Sequence, residues 1–440
     1  MFNVSDLIVD GNKSIKGVIK GGHLPGDKSI SHRILLAAIL TPGVTIISNI
    51  NRGNAVQLLI PALEKLGIDI YSEQNGEVHV RPFGERMVKE DVPVLNLGPS
   101  SAAARMLIGI LAGLRQRAVI DGDHVLRTRP MEWVVNPLRQ MGAEITYLGK
   151  DGCLPLEIHH GNFNGGSVRL KIGSAQASSA IMFAAFASGC PVEITHKVRS
   201  RDHTERLLGY IGATIKSYDD LTSMTDISLG EIPYYHVPGD PSSAAFIAAA
   251  HVLQKRKCDC FIENVCLNPT RVGFFEILKK CGISIHYQDV KTVYGEPVGN
   301  IVIGPYNHNL TAFTVEGGYK FHSLIDEVPL LAAIACVIKG ASYILNAAEL
   351  VFKETNRLQT TKDMLRAFGA DVEIANNGLY INGGKELESG VVPSFNDHRI
   401  AMTAAALASS LPGITRIIGG DCYQVSFVEF PNVMHSYGFW

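Results

Sequence analysis

Long apolar runs are missing from this chain. No stretch reaches the roughly 18–20 consecutive apolar residues of a membrane span. Alanine-rich runs such as Ile181–Ala187 are short and give way to Ser and Gly. The opening residues, MFNVSDLIVDGNKSIKG, have neither an apolar signal core nor a small-residue cleavage site, so no secretory leader is expected. An excess of one charge is missing too. A net charge of −2 gives no long-range pull on nucleic acid or on an anionic membrane, so neither is an expected partner. The eight cysteines are scattered, and Cys258 and Cys260 lie one residue apart, which is not a common zinc spacing. They read as packing residues of a reduced, cytoplasmic protein. The chain also shows no metal-ligand constellation, Gly-rich dinucleotide fingerprint or Ser-His-Asp order. Gly22–Ser29 approaches a phosphate-binding P-loop and fails it, because Asp27 separates Gly26 from Lys28 and no suitable strand precedes.

What is present is a repeat. Six alanine-rich apolar stretches each open on a small or polar cluster, at Asp27, Ser100, Ser174, Asp240, Asp326 and Asp397. They read DKSISHRILLAAIL, SSAAARMLIGILAG, SAQASSAIMFAAFASG, DPSSAAFIAAAHVL, DEVPLLAAIACVIKG and NDHRIAMTAAALASS. Each predicts a helix that is apolar on nearly every face and therefore buried. After each comes a more charged helical segment ending in Leu-x-x-x-Gly or a close variant, as in ALEKLGIDI, PLRQMGAEI, LLGYIGATI, ILKKCGISI, MLRAFGADV and, degraded, VMHSYGF. The glycine suits a left-handed C-cap, and strand-like alternation follows it. Further strands are expected at Val44–Ile50, Glu77–Phe83, Arg117–Asp123, Ser167–Gly173, Pro191–His196, Asp259–Val265 and Ala341–Ala347. Each unit thus reads strand, helix, strand, helix, strand, strand, an α/β or α+β architecture. Six units suggest two domains of three, with seams near Gly21-Gly22 and Val237–Pro241. The expected domains are residues 22–238, inserted, and 1–21 joined to 239–440.

Candidate chemistry gathers at the helix starts. Lys28 and Arg33 flank Ser29 and Ser31 in HLPGDKSISHR, a candidate anion site. Arg127 and Arg129 precede a proline in LRTRPMEW. GSAQASSA and SRDHTER bring hydroxyls and Arg201, which on their own could be no more than caps. Asp326 and Glu327 open one apolar segment. Lys353, Glu354 and Arg357 lie within five residues, which in isolation describes a solvated helix start with an i, i+3 ion pair. Asp397, His398 and Arg399 open the last stretch. Together they describe a cationic cleft, facing six helix N-termini, with two carboxylates placed for proton transfer on a small polyanion.

In order, these motifs resemble the 5-enolpyruvylshikimate-3-phosphate (EPSP) synthase family over essentially the whole chain. PGDKSISHR, SAQ, SRDHTERLL, VPGDPSSAAF, NPTR, IDEVP, KETNRL and NDHRIAM carry the resemblance. It implies two domains, each of three βαβαββ units in pseudo-threefold arrangement (an inside-out α/β barrel), that close over shikimate-3-phosphate and phosphoenolpyruvate in the cleft between them. It implies acceptor binding by Lys28, Ser29, Arg33, Ser174, Ala175, Gln176, Arg201, Asp326 and Lys353. It implies donor binding by Lys28, Arg129, Gln176, Arg357 and Arg399. Glu354 and Asp326 are the implied acid–base pair, with Lys28 assisting, and no cofactor or metal is implied. Small phosphorylated substrates are the expected partners of a monomer.

One departure stands out. The family's Gly-Asn-x-Gly-Thr loop, which lies against phosphoenolpyruvate, is here Gly98-Pro99-Ser100-Ser101-Ala102. A side chain replaces the second glycine, and Pro99 removes an N–H donor, while two serines add hydroxyls. KETNRL carries Thr355 and Asn356 where the family has Ser or Thr and then Asp; Val428 replaces a proline, and Val425 stands where some members have lysine. Three readings follow: an EPSP synthase with a variant loop, a paralogous enolpyruvyltransferase-like enzyme using another phosphorylated acceptor or donor, and a non-catalytic descendant. A UDP-N-acetylglucosamine enolpyruvyltransferase is disfavoured, because no cysteine lies between Leu114 and Arg129.

Overall fold

A computed structural model describes residues 5–13, 19–20, 22–82, 92–228 and 230–440. Gly21, of the first expected seam, and Phe83, the end of one expected strand, lie outside them. The chain divides into two compact units. The first is Gly26–Val237 with Thr292–Glu296, and the second is Met1–Pro25, Pro238–Lys291 and Pro297–Trp440.

All six apolar stretches are helices: α1 (Lys28–Ala38), α2 (Ser101–Gly113), α3 (Ala175–Ser188), α4 (Pro241–Leu253), α5 (Val328–Val337) and α6 (His398–Ala408). Their interiors are rich in Ala, Leu and Met, which lose little rotamer freedom in a helix. Every residue of α4 and of α6 is buried, as a helix without a polar face must be. Side chains before the first turn receive N–H groups that have no partner within the helix. Asp27 accepts from Ile30 at 2.8 Å, Ser174 from Ala177 at 3.2 Å, Asp240 from Ser242 at 2.8 Å and Asp397 from Arg399 at 2.9 Å. Two starts differ. Ser100 makes no such cap. The stretch opening at Asp326 first makes a 3-10 turn, Ile325–Glu327, and α5 begins only at Val328, with a proline in its first turn.

The Leu-x-x-x-Gly segments end helices as their sequence predicts. Gly67, Gly142, Gly212, Gly282, Gly369 and Gly438 all have positive φ, the conformation glycine adopts without a Cβ penalty. These helices bury one face only: Gly273–Lys280 buries Phe274, Phe275 and Leu278 and leaves Lys279 part-exposed.

Three four-stranded sheets belong to residues 26–237 and share one topology. In the second of them, Val94–Asn96 runs parallel to Ala118–Asp121, while Leu156–Ile158 and Ile145–Tyr147 complete the sheet antiparallel. In the first sheet the parallel partner of Thr45–Ser48 is Tyr234–His236, from the far end of the segment, so the chain closes on itself. Of the remaining three sheets two repeat the four-stranded scheme, and the third has three strands among the described residues. Gly340–Leu345 takes Thr314–Glu316 in parallel and Gly378–Gly383 antiparallel, and Leu7–Asp10 pairs antiparallel with Ile414–Ile418. The strands alternate buried and exposed residues, as in Val192–His196. The sheets therefore carry the wet face and the apolar helices form the interior.

Within the first unit α2 and α3 approach unusually closely. A Cβ at Gly109 would lie 2.0 Å from the Ala180 carbonyl oxygen, and one at Gly113 would lie 2.3 Å from that of Ala184. Burying the α2 and α3 stretches brings their N-terminal residues, Ser100–Ser101 and Ser174–Gln176, to the starts of neighbouring helices.

Candidate active site

The first unit holds the cations Lys28, Arg33, Arg105, Arg129 and Arg201. Lys28 is the first residue of α1, half-buried beside the Asp27 cap. Arg33 is buried one turn further on. Its Nε donates to Thr204 Oγ1 at 2.7 Å, Nη2 to Ser179 Oγ at 2.8 Å and Nη1 to the Ser29 carbonyl at 2.9 Å. Thr204 and Ser179 hydrogen-bond each other at 2.6 Å. Burial lowers the Arg33 pKa to about 10; Glu205 and Asp27 oppose the shift and Arg201 adds to it. Arg33 therefore ties Ser29 to α3 and to the helix His203–Ile211, and Arg201 lies near enough to feel its charge. Burial raises the Glu205 carboxyl to about 7, Asp202 adding to the rise while Arg33 and Arg199 oppose it.

His32 occupies the other side of α1. Its Nδ1 lies 2.8 Å from the Lys28 carbonyl, and its Nε2 lies 2.9 Å from both the Ala55 carbonyl and Ser100 Oγ. Burial, with the charges of Lys28 and Arg33, lowers its pKa to about 4 and keeps the ring neutral.

The two arginines of LRTRPMEW part company. Arg127 pairs with Asp121 at 2.5 Å on the surface, its side chain half exposed. Arg129 turns inward and donates through Nη1 to Ser101 Oγ at 3.1 Å. Arg105, from α2, donates to Gln176 Oε1 at 2.5 Å and to the Pro130 carbonyl at 2.8 Å, and its guanidinium lies over Trp133, 5.1 Å from the ring centre. Gln176 is thus held by an arginine that the sequence alone did not single out. Ser174 spends its hydroxyl as the cap of α3, followed directly by Ala175 and Gln176.

The second unit gathers carboxylates and cations from three repeats. Asp326 Oδ1 lies 3.3 Å from Lys353 Nζ and 3.3 Å from Arg357 Nη1, and Oδ2 lies 3.7 Å from Arg399 Nη2. Arg357 also bonds Glu354 through Nη2 and Asp397 through Nε, the latter at 2.9 Å. The i, i+3 pair with Glu354 forms, yet Arg357 is 1% exposed, so this is no solvated surface pair. Burial opposes the Arg357 charge, but Asp397, Glu354 and Asp326 outweigh it and hold the guanidinium firmly protonated. Burial would raise Asp397; Arg357 outweighs it and keeps that carboxyl below its ordinary range.

Behind this cluster lies a second layer. Glu327 is 2% exposed. Its Oε1 accepts from Arg399 Nη1 at 3.1 Å and from Ser242 Oγ at 2.5 Å. Arg271, of the NPTR motif, donates to Asp240 at 3.0 Å and to Ser242 at 3.1 Å. Glu327 is adjacent to Asp326, and its sequence signal, an acidic pair before an apolar helix, could not separate the partly buried Asp326 from the fully buried Glu327. The eight cysteines are free thiols.

Each unit gathers its own charged side chains. Lys28, Arg129 and Gln176 stand at or near helix starts of the first unit, and Asp326, Lys353, Glu354, Arg357 and Arg399 form one contiguous ionic cluster in the second.

Comparison with known proteins agrees along the full length. The family described as EPSP synthase (3-phosphoshikimate 1-carboxyvinyltransferase) matches residues 9–434. A 3-phosphoshikimate 1-carboxyvinyltransferase of Alkaliphilus oremlandii is 35% identical over 430 residues, covering 98% of this chain and 99% of the relative. One from Pelotomaculum thermopropionicum is 37% identical over 429 residues, covering 98% of each. The solved EPSP synthase of Acinetobacter baumannii superposes with a TM-score of 0.84 at 30% identity, covering 98% of each chain. Six repeat helices with their caps and a match running from the first strand to the last helix lead to one conclusion: the chain belongs to the EPSP synthase (3-phosphoshikimate 1-carboxyvinyltransferase) family.

Proposed function

We infer that the protein transfers the enolpyruvyl group of phosphoenolpyruvate to the 5-hydroxyl of shikimate-3-phosphate and releases phosphate, a step of aromatic amino acid biosynthesis. The observation that carries this reading is Asp326 held among Lys353, Arg357 and Arg399, with Glu354 on the same Arg357 guanidinium. Two carboxylates of different surroundings share one cationic cluster, which suits one proton removal and one proton delivery.

In this reaction the acceptor's 5-hydroxyl loses its proton and its oxygen bonds C2 of phosphoenolpyruvate. The methylene carbon gains a proton, giving a tetrahedral intermediate. That intermediate loses a proton from the new methyl group and expels phosphate, which restores the double bond. On this reading Asp326 and Glu354 carry the protons and Lys28 assists. Lys28, Ser29, Ser174, Ala175, Gln176, Arg201, Asp326 and Lys353 receive the acceptor. Arg33, whose guanidinium is engaged by Ser29, Ser179 and Thr204, acts on the acceptor through Ser29. Lys28, Arg129, Gln176, Arg357 and Arg399 receive the donor. Fixed cations stabilise charge that accumulates in the transition state and need no reorganisation to do so. The enzyme works on this reading as a cytoplasmic monomer; no helix among the described residues is long and apolar enough to cross a membrane.

The test is phosphate release with both substrates and with each omitted in turn. Release that requires both is expected. Release from phosphoenolpyruvate alone, or none with both, would reject the assignment.

A further inference from the structure

The loop Gly98–Ala102 is closed to a ligand along most of its backbone. Gly98 N–H donates to Asn96 Oδ1 at 2.9 Å, Ser100 N–H to the Leu97 carbonyl at 3.0 Å and Ser101 N–H to the Pro99 carbonyl at 3.1 Å. Pro99 has no N–H. From 98 to 101, then, every backbone donor is either spent locally or missing. The loop is also pinned from both sides: Leu97 N–H donates to the Asp121 carbonyl and Asp123 N–H to the Gly98 carbonyl, each at 3.0 Å.

The side chains take a different course. Ser100 stands at the N-cap of α2, where a serine ordinarily accepts from the helix's first turn. Here its hydroxyl is turned to His32 Nε2 at 2.9 Å instead, and no side chain caps the turn. Through the His32 ring it is joined to the Lys28 carbonyl. Ser101 is buried, 8% exposed, and accepts from Arg129 Nη1. A hydroxyl that accepts a bond still carries one O–H to donate. Ser101 and Arg129 together therefore present a hydroxyl and a guanidinium beside an uncapped helix start.

We propose that Ser101 is a donor-positioning residue: it orients Arg129, and with it supplies the hydrogen-bond donors to the phosphoenolpyruvate anion that this loop's backbone does not. Ser100 has the complementary part of tying the loop to the Lys28-bearing helix through His32. The variant loop is then an exchange of backbone donors for side-chain donors. The proposal rests on the functional reading above in taking Arg129 as a donor ligand.

Three variants test it: Ser101→Ala, Ser101→Thr and Ser100→Ala. Steady-state rates are measured against each substrate. Phosphoenolpyruvate binding and shikimate-3-phosphate binding are each measured alone by calorimetry. Losing a hydrogen bond to a charged group predicts a phosphoenolpyruvate KM raised on the order of 10- to 100-fold in Ser101→Ala. Shikimate-3-phosphate affinity and Tm should stay within error, and Ser101→Thr, which keeps the hydroxyl, should recover most of the loss. Ser100→Ala should lower Tm and leave that KM close to the parent value. An unchanged phosphoenolpyruvate KM in Ser101→Ala overturns the proposal, as does an equal loss in Ser101→Thr or a parallel loss of acceptor affinity. If the unaltered enzyme releases no phosphate, the functional reading has failed. Phosphoenolpyruvate binding then decides this proposal alone: weaker binding to Ser101→Ala supports it, and equal or absent binding rejects it.

Discussion

Arg357 and Asp397 form a buried ion pair, 2.9 Å between Nε and Oδ2, with side chains 1% and 0% exposed. The same carboxylate caps α6 through the Arg399 N–H and accepts from Thr355 Oγ1 at 3.1 Å. One side chain thus fixes the start of the helix that carries Arg399 and the guanidinium that carries Glu354 and Asp326.

Removing that carboxylate leaves a charge in the interior. Arg357 keeps Asp326 and Glu354 as partners, so Asp397→Ala is predicted to cost less than the roughly 3–5 kcal/mol of breaking an isolated buried pair, with the lost cap adding about 1 kcal/mol. Replacing Arg357 and Asp397 together by leucines also takes the shared cation from Glu354 and Asp326, so the double variant should be no more stable than Asp397→Ala alone. Calorimetric Tm values of the variants check this; a double variant more stable than the single one would contradict it.

Glu354 is the most exposed member of the cluster, its side chain 30% accessible against 26% for Lys353, and it is bonded to Arg357. Glu354→Gln keeps the shape and removes the proton acceptor. Turnover should fall by about 10²–10⁴, the span of one general acid–base group, while shikimate-3-phosphate binding by calorimetry stays as it was. Full activity in this variant would remove Glu354 from the proton-transfer role.

How much of this was legible in the sequence follows from range. The six helices and their glycine caps were legible because the signals are local: an apolar stretch, a capping side chain, a glycine that must adopt positive φ. The partners of Arg33 were not, because Ser179 and Thr204 lie 146 and 171 residues away and carry no mark as its acceptors. Arg105 gains its role only from the fold, which sets Gln176, Pro130 and Trp133 around it. Glu327 followed Asp326 without distinction, and only the fold assigns it to Ser242 and Arg399. The sequence placed a helix start at Asp326; two residues of 3-10 turn displace it, because Pro329 fits the first turn of a helix better than its interior.

Stability should fall on the acid side. Burial is the leading cause that lowers His32, His196 and His251 from about 6.5 to about 4. Below pH 6.5 the unfolded chain gains protons that these folded rings refuse, so their contribution is complete above 6.5 and is lost as pH falls towards 4. Glu205, raised from 4.5 to about 7, acts oppositely: its contribution is complete below 4.5 and is lost as pH rises through 7. Three histidines against one carboxyl leave a Tm that rises between pH 4 and 6.5. His251, which donates to the Gly304 carbonyl at 3.1 Å, lies outside the catalytic groups. His251→Gln keeps an N–H donor and cannot titrate, so it should flatten that rise; an unchanged slope would show that His251 does not contribute to it.

The close approach of α2 and α3 makes a prediction against helix propensity. In an open helix, Gly→Ala stabilises by about 1 kcal/mol. At Gly109 the new methyl carbon would lie 2.0 Å from the Ala180 carbonyl oxygen and 2.6 Å from the Ala180 carbonyl carbon. These are backbone atoms of a buried helix, so no side-chain rotation relieves the contact; the helices must separate. Overpacking of this kind costs roughly 1–3 kcal/mol and sometimes more, which exceeds the propensity gain. Gly109→Ala should therefore lower Tm. It should also weaken phosphoenolpyruvate binding, because α2 carries Ser101 and Arg105 at its start and α3 carries Gln176. Gly209, in the helix His203–Ile211, has nothing within 4 Å of where its Cβ would be, so Gly209→Ala should be neutral or stabilising and serves as the control. Equal Tm shifts for the two substitutions would mean that the helices can part without penalty, and that the glycines of α2 do not set their spacing.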